Sequence, residues 1–260
     1  MTKDDFRALL NFVLRLIQRL VMGQAPLTGA IVEGPAPDPE PVAERVIPRI
    51  KLYFDPGHHA GITSNRSPQL PDGSYFYEWE SNLQWARDIE KAARAIGFDT
   101  LITIPDAEDQ RESREDVLQF RRRLIPILYD KTPLTKVFIS LHSNADGQTG
   151  IDEWGTAHGL EIFVDPQAKE GSRHAARIMT DALLRALMPD TRDRSFKTGY
   201  KATRKLYLLK QLNLPGVLAM LIEFEFHDSP LGLARLTNPA WRAKAVQGVI
   251  EGCKALNKWV

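Results

Sequence analysis

Three apolar segments of the sequence each lead into a residue that can bind a metal or carry a proton: His58 follows the first, His142 the second and Glu223 the third. The apolar segments predict β-strands, and in open α/β sheets ligands bind at the carboxyl ends of the strands. If the three strands are neighbours, the three side chains share one crevice. Each could instead be an ordinary polar residue of the fold, and the pattern alone leaves both interpretations open. The segments cover residues 50–54, 136–141 and 217–222.

Two imidazoles and a carboxylate form a donor set that suits zinc. Catalytic zinc sites use three such protein ligands and keep a further position for water or substrate. The bound ion lowers the pKa of water and polarises a carbonyl, while a carboxylate that is not a ligand moves protons. The chain has one cysteine, Cys253, which excludes an intramolecular disulfide and a cysteine-based zinc site. We interpret Cys253, in the last predicted helix, as a small core residue.

Short apolar segments that alternate with helical patterns must position these residues. The alternation predicts an α/β fold with a single twisted, largely parallel sheet of about six strands flanked by helices. The polar, irregular stretch 188–204 is predicted to be a surface loop near the site. Strands are predicted at 50–54, 99–104, 136–141, 160–164, 205–209 and 217–223, and helices at 79–96, 113–129, 169–187 and from Asn238-Pro239 to about Lys258.

Two further parts precede the predicted α/β domain, which we place at 49–260. Apolar residues at helical spacing predict an N-terminal amphipathic helix within 1–22. Six prolines in residues 23–48 predict an extended, semi-rigid linker. The chain is therefore expected to consist of a helix, a Pro-rich linker and one catalytic domain.

The predicted N-terminal helix has several possible roles. It is too short and too charged to span a membrane, and Arg15 and Arg19 interrupt the apolar core that a signal peptide requires. It can pack on its own domain, mediate self-association or docking to another chain, or lie on a membrane surface. Whether residues 1–48 block the groove of the catalytic domain also stays open.

The charge of the chain argues against some classes of partner. Lys and Arg number 34 and Asp and Glu 33, so the formal net charge is +1 at pH 7. A nearly neutral chain offers no bulk attraction to nucleic acid or anionic lipid. The one dense basic stretch, Arg121 to Arg123, lies in a predicted helix and is interpreted as a solvated face. We expect no nucleic-acid partner and no integral membrane segment.

Four short motifs, in order over roughly residues 50–257, carry a resemblance to a known family. The chain resembles the zinc-dependent N-acetylmuramoyl-L-alanine amidases of the type 3 group. Any one motif would be weak, but four in order, each on its expected element, make a specific match. They are FDPGH at 54–58, EWESNL at 78–83, SLHSNA at 140–145 and LIEFEF at 221–226.

The resemblance implies roles for particular residues. His58, Glu78 and His142 would hold one zinc ion per chain, and Glu223 would be the catalytic carboxylate. Glu78 is implied by the resemblance alone, because an acid at the start of a helix is otherwise unremarkable. Glu80 competes with it, but the spacing to the Asn-Leu pair of the motif favours Glu78. The implied substrate is peptidoglycan, and the implied bond joins the lactyl group of N-acetylmuramic acid to L-alanine.

Two residues depart from the family pattern, and two flank the implied ligands. His59 stands where the family often has glycine, and is either a group near the metal or substrate, or an exposed or structural residue. Glu225 stands where the family often has glycine or a polar residue. On a regular strand it shares a face with Glu223, which makes it a rival or partner of the base. Asp55 is expected to orient a ligating imidazole or to cap the Pro-Gly turn, and Asn144 to orient a ligand or contact substrate.

Three loops, at 61–77, 145–158 and 189–204, are predicted to line a groove for a glycan–peptide chain. Basic residues of the last loop could pair with stem-peptide carboxylates or could simply be solvated. Three histidines match no motif, and of these His227 follows the strand of Glu223. The basic residues are Arg192, Arg194, Lys197, Lys201 and Arg204, and the other two histidines are His158 and His174.

Two functions of other classes remain as alternatives. One is a non-catalytic peptidoglycan-binding module, against which the retention of every implied ligand and of Glu223 argues. The other is a zinc peptidase acting on wall peptides, in which His and Glu ligands commonly lie close together in one motif. Here His58 is followed by His-Ala-Gly, so that motif is absent. With no recognisable signal peptide, we expect a protein that stays in the cytoplasm until release, as phage lysis enzymes do, or one exported by an unrecognised route.

Overall fold

A computed structural model of the protein describes residues 45–104, 123–147, 150–195, 198–203 and 206–260. The predicted N-terminal helix and nearly all of the predicted linker lie outside the described residues, as does most of the helix predicted at 113–129. Within the described ranges, no helix is long and apolar enough to cross a membrane.

The described residues form a six-stranded sheet in the order β2-β1-β3-β6-β4-β5. Neighbouring strands run parallel, except that β4 is antiparallel to β6. The predicted single, largely parallel sheet is therefore confirmed. The strands are β1 (Ile50–Pro56), β2 (Asp99–Ile102), β3 (Thr135–Asn144), β4 (Glu161–Val164), β5 (Lys201–Ala202) and β6 (Val217–Phe226).

Helices cover both faces of the sheet. The last helix begins where Asn238 accepts hydrogen bonds from the backbone N–H groups of Ala240 and Trp241, which satisfies donors that the helix itself leaves unpaired. Residues 123–128 are also helical. The named helices are α1 (Glu78–Ala95), α2 (Glu170–Leu187), α3 (Tyr207–Gln211), α4 (Pro230–Thr237) and α5 (Pro239–Trp259).

Two apolar clusters, one on each face, hold the sheet between its helices. The larger lies under α1, α2 and α5, and in it Trp85 stacks on Phe224 with ring centroids 4.3 Å apart. The smaller joins Tyr53 and Phe138 to the helical residues 123–128 and to α3. Because both faces of the central strands are buried, their sequences are continuously apolar rather than alternating. This continuity is what made the strands visible in the sequence.

The strand predicted at 205–209 is wrong, because Tyr207–Gln211 form α3. A short apolar stretch does not distinguish a buried strand from a short helix, and here Leu209 and Leu212 face the smaller cluster at helical spacing. The edge strand β5 lies instead within the stretch predicted to be a loop. Helix α4 was not predicted, although Ser229 and Pro230 form the usual start signal and the Ser229 hydroxyl accepts a hydrogen bond from the N–H of Gly232.

The compact unit that ends at Val260 includes residues before the predicted boundary at residue 49, and hydrogen bonds fasten them to it. The N–H of Val46 donates to the carbonyl of Ile96 at 2.8 Å. The amide of Asn257, near the end of α5, donates to the carbonyl of Ile47 and accepts from the N–H of Arg49. These contacts tie the residues before β1 to α1 and α5.

Candidate active site

The sheet register places the ends of three strands side by side, as the sequence predicted. In the order β1-β3-β6, Pro56 pairs with Leu141, and His142 pairs directly with Glu223. His58 follows two residues after the end of β1. The structure therefore brings His58, His142 and Glu223 to one edge of the sheet, at the carboxyl ends of neighbouring strands.

His58, Glu78 and His142 form a compact cluster of potential metal ligands. One ligand atom from each lies within 4.8 Å of the others. Glu78 bridges the two imidazoles, with Oε2 at 3.2 Å from Nε2 of His58 and Oε1 at 3.1 Å from Nδ1 of His142. The two rings meet edge to face, with centroids 4.9 Å apart. Two nitrogens and a carboxylate this close fit the donor set of a zinc site with a position left open for water or substrate.

The backbone around residue 57 shapes this cluster. A Cβ atom on Gly57 would lie 2.2 Å from Cε1 of His142, so glycine is required for that imidazole to occupy its position. His58 has a φ of +61°, a left-handed conformation that non-glycine residues adopt at a cost of about 1–3 kcal/mol. Such local strain is typical of residues whose position is set by function.

Glu78 is held as a carboxylate at the start of α1. Burial raises the pKa of Glu78, but the charges and hydrogen bonds of His58 and His142 outweigh it and hold the pKa well below its ordinary value. The backbone N–H of Ser143 donates to Oε1 at 3.1 Å. The amide of Asn82 donates both to this oxygen and to the carbonyl of Gly57. Asn82, from the Asn-Leu pair of the second motif, thus links the helix start to the turn that carries His58.

Glu223 lies beside the cluster and is partly buried, with one carboxylate oxygen enclosed by the protein. Its Oε2 has no hydrogen-bond partner in the described part of the chain. Burial raises the pKa of Glu223 well above its ordinary value, and the negative charges of Glu78 and Glu161 raise it further. A carboxyl group with a raised pKa beside a cluster of potential metal ligands is suited to accept and return a proton.

A pocket of about 390 Å³ opens over two members of the cluster, and His142 lies behind its wall. It contains His58, Glu78 and Glu223, together with residues from the loops after β1, β3 and β6. Two of the three loops predicted to line a groove, 61–77 and 145–158, contribute to its wall. The other lining residues are Ser64, Asn65, Arg66, Ser143, Asn144, Ala145, Gly147, Gly150, Ile151, His227 and Asp228.

Asp55 reaches the imidazole of His142 only through Ser140. The Ser140 hydroxyl donates to Oδ2 of Asp55 at 2.7 Å and lies 3.2 Å from Nε2 of His142. Oδ1 of Asp55 accepts from Thr103 at 2.7 Å and forms an ion pair with Arg123 at 2.5 Å. The interpretation of Arg123 as part of a solvated face is therefore wrong, because its side chain is buried against the end of β1.

His59 is not exposed, and Glu225 does not line the pocket. His59 is buried, and its Nδ1 accepts from the backbone N–H of Gly61 at 3.1 Å, which stabilises a turn. Glu225 is fully buried, paired with Arg235 at 2.7 Å and accepting from the N–H of Gly159 at 2.6 Å. Glu225 was expected to share a strand face with Glu223, which requires a regular strand. The β3–β6 register shifts just beyond Glu223, so that requirement is not met.

Asn144 lines the pocket with both ends of its amide engaged. Its Nδ2 donates to Glu161 at 3.1 Å, and its Oδ1 accepts from the N–H of Ala145. Glu161 in turn pairs with Arg194 at 2.7 Å and Lys201 at 2.6 Å. Two of the five basic residues predicted to meet stem-peptide carboxylates are therefore bound to a buried glutamate of the protein itself. Lys197 and Arg204 lie outside the described residues.

Besides Ser64 and Ser143, four polar residues of the pocket wall were given no role from the sequence. Asn65 donates from Nδ2 to Glu78 at 3.1 Å and lies 2.8 Å from Nε2 of His58. Arg66 lies over the ring of Tyr75, 4.0 Å from its centroid. The rule that identified Glu223 could have found the other two, because polar residues directly after a central strand reach the same edge of the sheet. These two are His227 and Asp228.

Comparison with known proteins agrees with this geometry. The model of the N-acetylmuramoyl-L-alanine amidase family matches residues 53–255. No curated protein matches the chain. The structure of the CwlD amidase from Clostridioides difficile in complex with the GerS lipoprotein is similar, with a TM-score of 0.61 at 19% identity over 81% of this chain and 99% of that chain. Ami1, the N-acetylmuramyl-L-alanine amidase of Mycobacterium smegmatis, matches with a TM-score of 0.59 at 16% identity over 81% and 98%.

A third similar structure is the catalytic domain of the CD27L endolysin, which targets Clostridia difficile. Its TM-score is 0.51 at 18% identity, over 76% of this chain and 96% of that chain. At such identities the likeness concerns the fold. The family match covers most of the chain, including every residue of the metal-ligand cluster and Glu223, and the chain therefore belongs to the N-acetylmuramoyl-L-alanine amidase family.

Proposed function

We propose that this amidase hydrolyses the amide bond between the lactyl group of N-acetylmuramic acid and L-alanine in peptidoglycan, using one zinc ion per chain. The observation that carries the proposal is the pairing of a His-Glu-His cluster with Glu223, a carboxylate whose buried Oε2 has no donor in the described residues. The family match supports the substrate class, and the geometry supports the reaction type.

His58, Glu78 and His142 would hold the zinc ion. Both nitrogens and the carboxylate oxygen are donors that zinc accepts. His58 and Glu78 line the pocket, and the described residues place no fourth potential ligand in the cluster. When bound, the ion would lower the pKa of a water molecule and polarise the carbonyl of the scissile amide. The Asp55–Ser140 pair would orient the imidazole of His142 through its other ring nitrogen.

Glu223 would move the proton in both halves of the reaction. Because its pKa is raised by burial and by neighbouring negative charge, it holds a proton more readily than a solvated carboxylate. It would accept a proton from the attacking water and later deliver a proton to the nitrogen of the departing L-alanine. Glu161 stays in place through its two cationic partners, so its negative charge acts on Glu223 without competing for substrate.

The place of action follows from the substrate. An enzyme that cleaves this bond acts on the bacterial cell wall. We propose release after membrane opening, as in phage lysis, or export by another route. The resemblance to an endolysin catalytic domain is compatible with the first route, and the resemblance to bacterial amidases with the second.

Digestion of purified peptidoglycan sacculi tests the proposal. Products would be identified by mass spectrometry for the native chain with zinc, the native chain with a chelator, and Glu223→Gln. We expect zinc-dependent release of stem peptides with a free L-alanine N-terminus, and a rate about 10²–10⁴-fold lower in Glu223→Gln, the range that positioned acid–base groups supply. Glu251→Gln, which removes a half-exposed carboxylate on α5, is the control and should leave the rate unchanged.

Other products would point to the alternative functions. Trimming of residues from the far end of the stem would indicate a peptidase. Tight binding of sacculi with no released product, although zinc is bound, would indicate a wall-binding module. Equal rates for Glu223→Gln and the native chain would remove Glu223 from the mechanism.

A further inference from the structure

The wall of the pocket just beyond β6 contains a further carboxylate, Asp228, that the proposed reaction does not use. It is 7% exposed and lines the same pocket as Glu223. Its Oδ2 accepts a hydrogen bond of 2.7 Å from the backbone N–H of Asp146. Its Oδ1 is buried and has no hydrogen-bond donor in the described ranges. Asp228 thus combines one satisfied oxygen with one unsatisfied oxygen at a substrate-facing wall.

The backbone around Asp228 is firmly positioned. Its carbonyl accepts from the N–H of Gly155 at 2.7 Å, and the N–H of His227 donates to the carbonyl of Asn144 at 2.9 Å. These bonds join the segment after β6 to the segment after β3. The backbone hydrogen bonds of His227 and Asp228 therefore fix the position from which the carboxylate extends.

No charged group in the described parts of the chain forms an ion pair with Asp228. Among the ion pairs of the described residues, none includes this carboxylate. A buried acceptor without a donor is destabilising, and a buried charge without a partner is more so. Glu223 provides the proton acceptor that the reaction requires, so the mechanism leaves Asp228 unused. Its unsatisfied oxygen is best explained as an acceptor for a group that arrives with the substrate.

The neighbouring imidazole strengthens this interpretation. Nδ1 of His227 lies 3.0 Å from the carbonyl of Ser143 and 3.1 Å from its hydroxyl. A carbonyl only accepts hydrogen bonds, so Nδ1 carries the hydrogen and Nε2 is left as an acceptor. His227 also lines the pocket, and Nε2 makes no hydrogen bond within the described part of the chain. Two adjacent residues of the pocket wall therefore offer hydrogen-bond acceptors, Nε2 of His227 and Oδ1 of Asp228, that an N–H group of a substrate could fill.

We propose that Asp228 is a substrate-binding residue that accepts a hydrogen bond from an N–H donor of the peptidoglycan stem. The donor is a peptide N–H of the stem or the side-chain ammonium group of its diamino acid. This inference rests on the proposed amidase function, because it names the part of that substrate which the wall recognises. It assigns stem recognition to the segment after β6 instead of to Arg194 and Lys201, whose charges are bound to Glu161.

The substitution Asp228→Asn tests the proposal with defined muropeptides. Asparagine keeps an oxygen for the N–H of Asp146 but removes the charge and the free acceptor. We expect KM to rise about tenfold or more, the loss typical of a hydrogen bond to a charged group, while kcat stays within about threefold. Zinc content and thermal stability should stay at the native level, because asparagine still accepts from the N–H of Asp146 and the oxygen that it replaces has no donor in the described ranges. Asp190→Asn, at an exposed pair with Lys244, is the matched control.

Three substrates identify the donor. They are a stem with a free side-chain amine, the same stem with that amine acetylated, and a stem truncated before the diamino acid. If the ammonium group is the donor, the native enzyme prefers the free amine and Asp228→Asn loses that preference. If an amide N–H is the donor, Asp228→Asn raises KM by the same factor on all three. Asp228→Ser, which removes the carboxylate without adding an amide, should repeat whichever pattern appears.

Calorimetric binding of the released stem peptide separates this inference from the amidase proposal. A native chain that binds the peptide without cleaving its parent would contradict the amidase function and still report on Asp228. Native KM and native peptide affinity in both Asp228 variants would overturn the inference. A loss of thermal stability with unchanged KM would make Asp228 a structural residue and would overturn it as well.

Discussion

At the scale of single residues, Gly57 determines whether the candidate ligand His142 can reach Glu78. The imidazole of His142 occupies the space that a side chain on residue 57 would need. The carbonyl of the same glycine accepts a hydrogen bond from Asn82, which also donates to Glu78. Gly57 therefore leaves room for the ring of His142, and its carbonyl helps to position Glu78 through the amide of Asn82.

The substitution Gly57→Ala should weaken metal binding more than it weakens folding. Its Cβ would lie 2.2–2.5 Å from three atoms of the His142 ring, and the ring must turn away from Glu78. Disturbing a group that orients a ligand typically lowers metal affinity about 10–100-fold, and we expect a loss in that range. Competition with a chelator of known affinity measures it, with zinc content read by mass spectrometry.

Gly150→Ala is the control for the Gly57 experiment. Its Cβ would meet only the side chain of Glu153, at an ordinary distance of 3.5 Å. Zinc affinity should therefore stay at the native level in this variant. An unchanged affinity in Gly57→Ala would mean that His142 moves freely, or that it is not a ligand.

The residues of the site differ in how visible they were in the sequence. His58, His142 and Glu223 could be predicted because the strand that precedes each one is a visible apolar segment. Glu78 could not, because it reaches the cluster from the first turn of α1, and an acid there is ordinary; only the family motif indicated it. The pairing of Asp55 with Arg123 was also invisible, since it joins positions distant in sequence across the end of β1.

At the scale of elements, Arg123 fastens the helical residues 123–128 to the turn after β1. Its guanidinium pairs with Asp55, and it also donates to the carbonyls of Pro56 and, at 2.6 Å, of His58. These contacts hold the backbone on both sides of Gly57. They help to explain how His58 keeps a left-handed conformation that would otherwise relax.

Arg123→Met should destabilise the protein by about 3–5 kcal/mol, because it leaves the buried charge of Asp55 without its partner. Urea unfolding measures the change. The double substitution Arg123→Met with Asp55→Asn should recover part of the loss, because no unpaired charge then remains. Lys254→Met removes an exposed pair with Glu251 and should cost less than about 1 kcal/mol. Equal losses of unfolding free energy in Arg123→Met and Lys254→Met would show that the Arg123–Asp55 pair does not stabilise the fold more than an exposed pair does.

Elements were predictable where burial imposes a long pattern and were missed where it does not. The central strands β1, β3 and β6 are buried on both faces, so their apolar segments are long and continuous. Helix α3 is only five residues long, and its leucines fit a strand as well as a helix. Strand β5 has two residues at the edge of the sheet, too few for any alternation to show.

At the scale of the whole molecule, the order of the strands creates the site. The three strands that carry His58, His142 and Glu223 are adjacent in the middle of the sheet. The antiparallel strand β4 then brings Glu161 into register with Glu223, which places a second negative charge beside the proposed base. The proton affinity of Glu223 is thus a property of the sheet topology as well as of its immediate neighbours.

The packing around β1 also predicts where the catalytic unit can be cut. A chain that begins at Arg45 keeps every contact of residues 46–49 with α1 and α5, and should unfold with the stability of that unit in the full chain. A chain that begins at Ile50 loses those bonds, together with the contact between the side chain of Arg49 and the carbonyl of Val260. At about 1 kcal/mol for each net hydrogen bond, its free energy of unfolding should fall by about 2–4 kcal/mol.

Urea unfolding of the two truncated chains decides between the boundaries at residues 45 and 50. Asn257→Ala in the chain that begins at Arg45 is the matched variant, because it removes two of the same hydrogen bonds without shortening the chain. It should lose part of the stability that the shorter chain loses. If the chain that begins at Ile50 were as stable as the longer one, residues 45–49 would belong with the linker and the predicted start near residue 49 would stand.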